Sequence, residues 1–159
     1  DALTGLVNRR SFEMALSREV DRVARSGESA LLLMVDIDHF KEVNDLYGHE
    51  VGFQVLKFIA EQMRECFRPD DILCRVGGEE FIVLLPDLGL DSAHAVAERL
   101  RLKMASQKSP SGDVVTVSIG VAYMHEGSST IETTLRASDA ALYTAKNQGR
   151  NCVISAKKG

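Results

Sequence analysis

The residues of this chain best suited to chemistry are two glutamates directly behind two glycines, Gly77-Gly78-Glu79-Glu80, and an aspartate that closes an unbroken apolar run, Leu31-Leu32-Leu33-Met34-Val35-Asp36. Carboxylates fixed at a tight turn and at a strand end are hard oxygen ligands, and Mg²⁺ takes one or two of them together with the phosphates of a substrate. The chemistry this predicts is metal-assisted handling of a nucleotide. A Gly-Gly pair supplies the positive φ angles of a tight turn and lets a ligand approach the backbone closely. Taken alone, the same four residues would equally suit a surface hairpin with solvated carboxylates. Asp36 and Asp38 divide in a similar way, since an aspartate at a strand end can hold a metal and one ahead of a helix can cap it. We assign the cap to Asp38 and the metal to Asp36.

These side chains need a frame. Residues 72–76 and 81–85 are apolar, strand-like runs on either side of the acidic turn, which makes a hairpin. Residues 30–36 read as a buried central strand with its carboxylate at the C-terminal end. Helical spacing covers residues 9–25, 39–45, 50–67, 91–107 and 131–147, the last stopping at Gly149, with a hinge between the second and third at residues 47–49. Residues 114–123 and 151–156 read as further strands, and the Ser- and Pro-containing stretch 106–112 as a loop. This order predicts an α+β fold, a central and mostly antiparallel sheet flanked by helices, with the acidic hairpin inside it.

A chain of 159 residues with 45% apolar and 26% charged residues fits one globular domain. Its formal charge of −4 argues against a broad nucleic-acid face, so a triphosphate would have to be met by local Lys, Arg and Mg²⁺. Cys66, Cys74 and Cys152 are odd in number and have no CxxC spacing, which predicts a reducing, cytoplasmic setting without disulfides or zinc. No apolar run approaches about 18 residues and no signal peptide is visible, so no membrane contact is expected of this domain. His94 and His125 belong to no motif and read as surface residues.

Six segments in order then carry a resemblance: residues 1–10 (DALTGLVNRR), Asp36-Ile37-Asp38-His39-Phe40-Lys41, Asn44-Asp45 with Tyr47-Gly48-His49, Gly77 to Phe81, residues 117–121 (VSIGV), and Ala140-Ala141-Leu142-Tyr143 leading to Lys146 and Gly149-Arg150-Asn151. Together they span nearly the whole chain and resemble the GGDEF domain, the catalytic domain of bacterial diguanylate cyclases. The resemblance implies a palm-like sheet similar to nucleotidyl cyclases, and a single catalytic domain, 1–159, cut from a longer protein. It implies condensation of two GTP into cyclic di-GMP with release of two pyrophosphates across a homodimer. The metal is Mg²⁺ or Mn²⁺, two ions per half-site, held by Asp36, the Ile37 carbonyl, Glu79 and Glu80. Glu79 is also the candidate base for the ribose 3′-hydroxyl, and the division of roles between the two glutamates stays open. Phosphates fall to the backbone N–H groups of His39 and Phe40 and to Lys41, Lys146 and Arg150, the turn backbone at Gly77 and Gly78 lies beside the substrate, and Asn44 and His49 serve the guanine. Lys146 and Arg150 would be favourable at a helix end for electrostatic reasons alone. Arg68 and Asp71 match the family's Arg-x-x-Asp motif for inhibitory product binding, with Arg99 as a further arginine, although the same pattern is common in plain surface turns.

One residue departs from the family. Phe53 stands where an aspartate normally accepts hydrogen bonds from guanine N1 and N2. On a helical wheel Phe53 falls beyond the apolar arc of Val51, Val55, Phe58, Ile59 and Cys66, beside Lys57 and Arg64, so the core does not call for an aromatic there. The departure leaves three alternatives beside an ordinary diguanylate cyclase: a weak or inactive domain that senses cyclic di-GMP or GTP, a base-promiscuous cyclic dinucleotide synthase, or a packing substitution that widens the apolar face.

Overall fold

The structure, a computed structural model, describes residues 1–86, 90–124 and 130–156. The elements run α1 (Arg9–Ser26), β1 (Ala30–Ile37), α2 (Phe40–Tyr47), α3 (His49–Cys66), β2 (Ile72–Gly77), β3 (Glu80–Pro86), α4 (Leu90–Ala105), β4 (Val117–Met124), α5 (Ile131–Asn147) and β5 (Val153–Ser155). The strands form one sheet in the order β2-β3-β1-β4-β5. All pairings are antiparallel except the edge pair β4 and β5. This is the α+β fold expected, with β1 at its centre.

Every residue of β1 is buried, because helices cover both faces of the sheet. Side chains alternate along the strand. Leu31, Leu33 and Val35 join a core with Val55, Ile59 and Met63 of α3 and Ala97 and Leu100 of α4. Ala30, Leu32 and Met34 face the opposite way and pack with Phe12 and Leu16 of α1 and Leu142 of α5. Parity therefore sends Asp36 to the α1/α5 side. The α5 helix sits unusually close there: a Cβ on Gly120 of β4 would lie 2.3 Å from the Ser138 carbonyl oxygen and 2.4 Å from the Leu142 nitrogen. No residue but glycine fits at 120.

The expected helices are all present with ends within two residues, and two strands are shorter than expected. β4 begins at Val117 rather than 114, because Ile37, its partner opposite Val117, is the last residue of β1. β5 begins at Val153 rather than 151, because Arg150 and Asn151 are left-handed, with φ of 64° and 47°. Among the described residues no helix is long and apolar enough to cross a membrane. His94 is exposed with Nδ1 3.2 Å from Ser155 Oγ, and His125 lies outside the described residues.

Candidate active site

The signature residues do form a hairpin turn. Gly77 pairs with Glu80, leaving Gly78 and Glu79 at the tip, with Gly78 at φ 50°. The hairpin is anchored to β1 through the Asp36 to Glu80 register and an Ile37 N–H to Glu79 carbonyl bond of 3.2 Å. Directly opposed residues of an antiparallel pair project to the same face, so the carboxylates of Asp36 and Glu80 emerge side by side. A cleft of about 180 Å³ opens beside them, lined by Asp36, Ile37 and Glu79, by Asp38 to Glu42 at the start of α2, and by Lys146 and Arg150 from the end of α5.

Asp36 is 4% exposed and ion-paired with Lys146. Burial pushes its carboxyl above the ordinary aspartate value; the hydrogen bond and charge of Lys146 pull it down, while Glu79 and Glu80 push it up. Three acidic groups thus share one neighbourhood with one direct ammonium partner, which favours cations and phosphate-bound metals. The donors are all oxygens, the set that Mg²⁺ and Mn²⁺ prefer. Among the described residues no three His, Cys, Asp or Glu side chains already converge as a metal cluster. The arrangement fits an ion that completes its shell with substrate phosphates.

The residues expected to meet phosphates line the same cleft. His39 occupies the N-cap position of α2 in a left-handed conformation, φ 57°, and makes no side-chain cap hydrogen bond. Unsatisfied N–H groups at such a terminus favour anions. α5 ends in a Schellman motif, with Arg150 N–H to Ala145 O at 3.0 Å and Gly149 N–H to Lys146 O at 3.3 Å. That motif delivers Lys146 and Arg150 to one end of the helix.

Asp38 does not cap α2, contrary to expectation. Its carboxylate is buried and accepts hydrogen bonds from Thr116 Oγ1 (2.7 Å), Ser118 Oγ (2.6 Å) and Asn151 N–H (3.0 Å), tying the end of β1 to β4 and to the segment after α5. The N-cap position of α2 is held by His39 instead, and the Asp38 carboxylate is already engaged by these three donors. Sequence reasoning also missed Arg75, whose Nε donates to the Gly78 carbonyl at 3.1 Å and whose Nη1 lies 3.5 Å from Asp1 Oδ2, bracing the turn against the N-terminal segment. A basic residue two positions before Gly77 was its only signal.

The residues expected to serve the guanine sit on α2, whose first turn borders the cleft, and on α3. Asn44 is half-buried, and its amide lies over Gly52, where a Cβ would come within 1.9 Å of Oδ1. Phe53 is the next residue along α3 and is 44% exposed, outside the core as the wheel predicts. His49 is exposed at the first turn of α3. Arg68, Asp71 and Arg99 are at the foot of the hairpin, about 20 Å from its turn by the rise of β2. Arg68 Nη2 donates to Asp71 Oδ1 (3.0 Å) and to the Pro86 carbonyl (2.8 Å), while Arg99 donates to the Cys66 carbonyl at the end of α3.

The family described as "Diguanylate cyclase, GGDEF domain" matches residues 1–152. The chain belongs to the GGDEF family. Diguanylate cyclase DgcM of Escherichia coli K12 is 44% identical over 157 residues, which covers 98% of this chain and 38% of the relative. This GGDEF domain therefore spans well under half the length of that relative. The GGDEF domain of DgcB from Caulobacter crescentus, solved in complex with c-di-GMP, superposes with a TM-score of 0.93 at 34% identity, covering 99% of this chain and 93% of that one. The active GGEEF domain of a diguanylate cyclase from Vibrio cholerae gives 0.91 at 32% identity, covering 97% and 99%. Gly77 to Phe81 spell GGEEF in this GGDEF domain as well.

Proposed function

We propose that this GGDEF domain condenses two GTP molecules into cyclic di-GMP when two copies face each other. The observation that carries the reading is the single cleft in which Asp36 and Glu79 meet the α2 N-terminus, Lys146 and Arg150. Lys41, Lys146, Arg150 and the His39 and Phe40 N–H groups hold the triphosphate, and Gly77 and Gly78 leave the turn open on the substrate side. Glu79, at the hairpin tip, accepts the proton of the incoming ribose 3′-hydroxyl. Mg²⁺ or Mn²⁺, two ions held by Asp36, Glu79, Glu80 and the Ile37 carbonyl, would supply charge neutralisation on the phosphates and the leaving pyrophosphate. Lys146 then exchanges its Asp36 partner for phosphate oxygens. Incubating the protein with Mg²⁺ and GTP, ATP or both, and identifying products by mass, tests the reading directly; absence of any cyclic dinucleotide at high protein concentration overturns it. A sensor without turnover is not favoured, because Asp36, Glu79 and Lys146 line one cleft and relatives such as DgcM are named diguanylate cyclases.

Each domain offers one half-site, so turnover requires a symmetric pair. Specific activity of the isolated chain is expected to rise with protein concentration and to become constant only when a fused dimeriser holds two copies together. Constant specific activity across a dilution series of a protein shown to be monomeric would contradict this.

Product inhibition is proposed at Arg68, Asp71 and Arg99. An arginine forks onto phosphate or the guanine acceptor edge, and an aspartate accepts from guanine N1 and N2. In the free protein these groups are engaged with one another and with backbone carbonyls, so product binding has to displace internal bonds. Calorimetry should show cyclic di-GMP binding that Arg68→Ala removes, while the initial rate of synthesis stays within about twofold of the parent, since the cleft is distant. Unchanged product affinity would remove Arg68 from the site.

A further inference from the structure

Arg150 lines the phosphate cleft, yet nothing in its own conformation is comfortable. It and Asn151 are consecutive residues with side chains at φ 64° and 47°. Asn tolerates this region, but Arg has no special means of doing so, and such a pair persists only where its surroundings over-determine it. Those surroundings are specific. On one side the buried Asp38 carboxylate accepts from the Asn151 N–H at 3.0 Å. On the other side Arg101 of α4 donates through Nη1 to Asn151 Oδ1 at 3.1 Å and to its carbonyl at 3.4 Å. Arg101 is itself fixed by Glu98, with Nε 2.7 Å from Oε1. Asp38 is held in turn by Thr116 and Ser118.

We propose that Asp38 and Arg101 are positioning residues for phosphate binding: gripping Asn151 from opposite sides, they hold the left-handed pair and so keep Arg150 at the cleft. Arg101 lies outside the cleft, and although Asp38 lines it, the Asp38 carboxylate is taken up by Thr116, Ser118 and Asn151. The inference rests on reading the cleft as the triphosphate site. It gives α4, which borders no part of the cleft, a hand in nucleotide affinity.

A double-mutant cycle read by calorimetry with tripolyphosphate and Mg²⁺ tests it. Arg150→Ala should weaken tripolyphosphate binding about tenfold, the scale of one charge-assisted contact. Arg101→Ala should weaken it by about three- to tenfold in the parent, and not at all in the Arg150→Ala background, because its effect passes through Arg150. The thermal midpoint, which reports the merely structural part of the contact, should fall by the same amount in both backgrounds. Equal losses of affinity with and without Arg150, or no loss in the parent, overturn the proposal. Loss of effect from Arg150→Ala itself would instead overturn the phosphate reading of the cleft, and the proposal with it. If Arg101→Ala fails to fold, Asn151→Gly and Asn151→Val decide with Arg101 intact. Glycine accepts the left-handed backbone and valine does not, so tripolyphosphate should bind the glycine variant about tenfold more tightly, and equal affinities would overturn the proposal.

Discussion

Asp36→Asn is expected to abolish cyclic dinucleotide synthesis from GTP and Mg²⁺ while leaving the thermal midpoint unchanged or raised. The amide keeps the shape of the carboxylate and loses the charge that a divalent ion needs, which should lower turnover by about 10³-fold or more, roughly 4 kcal/mol of transition-state stabilisation. Stability moves the other way for a reason visible in the structure. Burial raises the folded-state pKa of Asp36 above its unfolded value. A carboxyl shifted in that direction binds protons more readily in the folded chain, so its ionised form costs stability at neutral pH, and the cost fades as pH falls through the raised value. Asn carries no such cost. The raised direction already includes the pull of Lys146, which burial outweighs. Because protons and Mg²⁺ compete for this carboxylate, the same shift predicts that the Mg²⁺ affinity of the free protein begins to fall, on acidification, at a higher pH than an ordinary solvated carboxylate would dictate. Glu79→Gln should remove turnover to a similar degree. Initial rates and melting curves on the same preparations check both variants, and near-parental rates in either would show the metal and base assignments to be wrong.

Phe53→Asp is expected to lower the apparent KM for GTP and to raise the preference for GTP over ATP. A carboxylate at this position would accept from guanine N1 and N2, and hydrogen bonds to a charged group contribute about 1.5–3 kcal/mol each. A ring stacked on the purine returns about 1 kcal/mol at most. The net change favouring guanine is therefore about 2–5 kcal/mol, on the order of thirtyfold to a few thousandfold. Adenine offers a different donor pattern on that edge and gains nothing. The site permits the change: Phe53 is 44% exposed, so its removal leaves no cavity in the core, and Asn44, the other residue proposed to meet the base, sits on the neighbouring helix α2. Competition between GTP and ATP, measured for parent and variant, gives both quantities. If neither moves while the protein stays folded, residue 53 does not read the base and the aromatic is only a packing substitution.

The hairpin, the central strand and the five helices were legible because each depends on local periodicity, and Gly77-Gly78 marks its own turn. The convergence of Asp36 with Lys146 was legible only through the family motifs, since 110 positions separate them and no spacing rule links a strand end to a distant helix end. Asp38 shows where local reasoning fails. An aspartate ahead of a helix is a good cap by propensity, but its partners Thr116, Ser118 and Asn151 come from two remote segments that only the folded sheet brings together. The late start of β4 had the same origin, because a strand pairs only as far as its partner runs. Arg75 and Arg101 escaped notice for a related reason: an arginine's use is set by which backbone carbonyl or side chain lies within reach of a long stem, and sequence does not record that.

The seat of α5 on Gly120 has a mechanical meaning for the cleft. A helix resting backbone to backbone on a strand has already reached its lowest position and cannot sink further when its lysine is drawn toward a phosphate. Nor can it rise without opening the core around Leu142. The gap between Asp36 and the foot of Lys146 is thus gauged by the absence of one methyl group two strands' width away from the acidic turn, and any exchange of partners by the ammonium must be made by the four flexible carbons of the side chain alone, with the helix as a fixed mount.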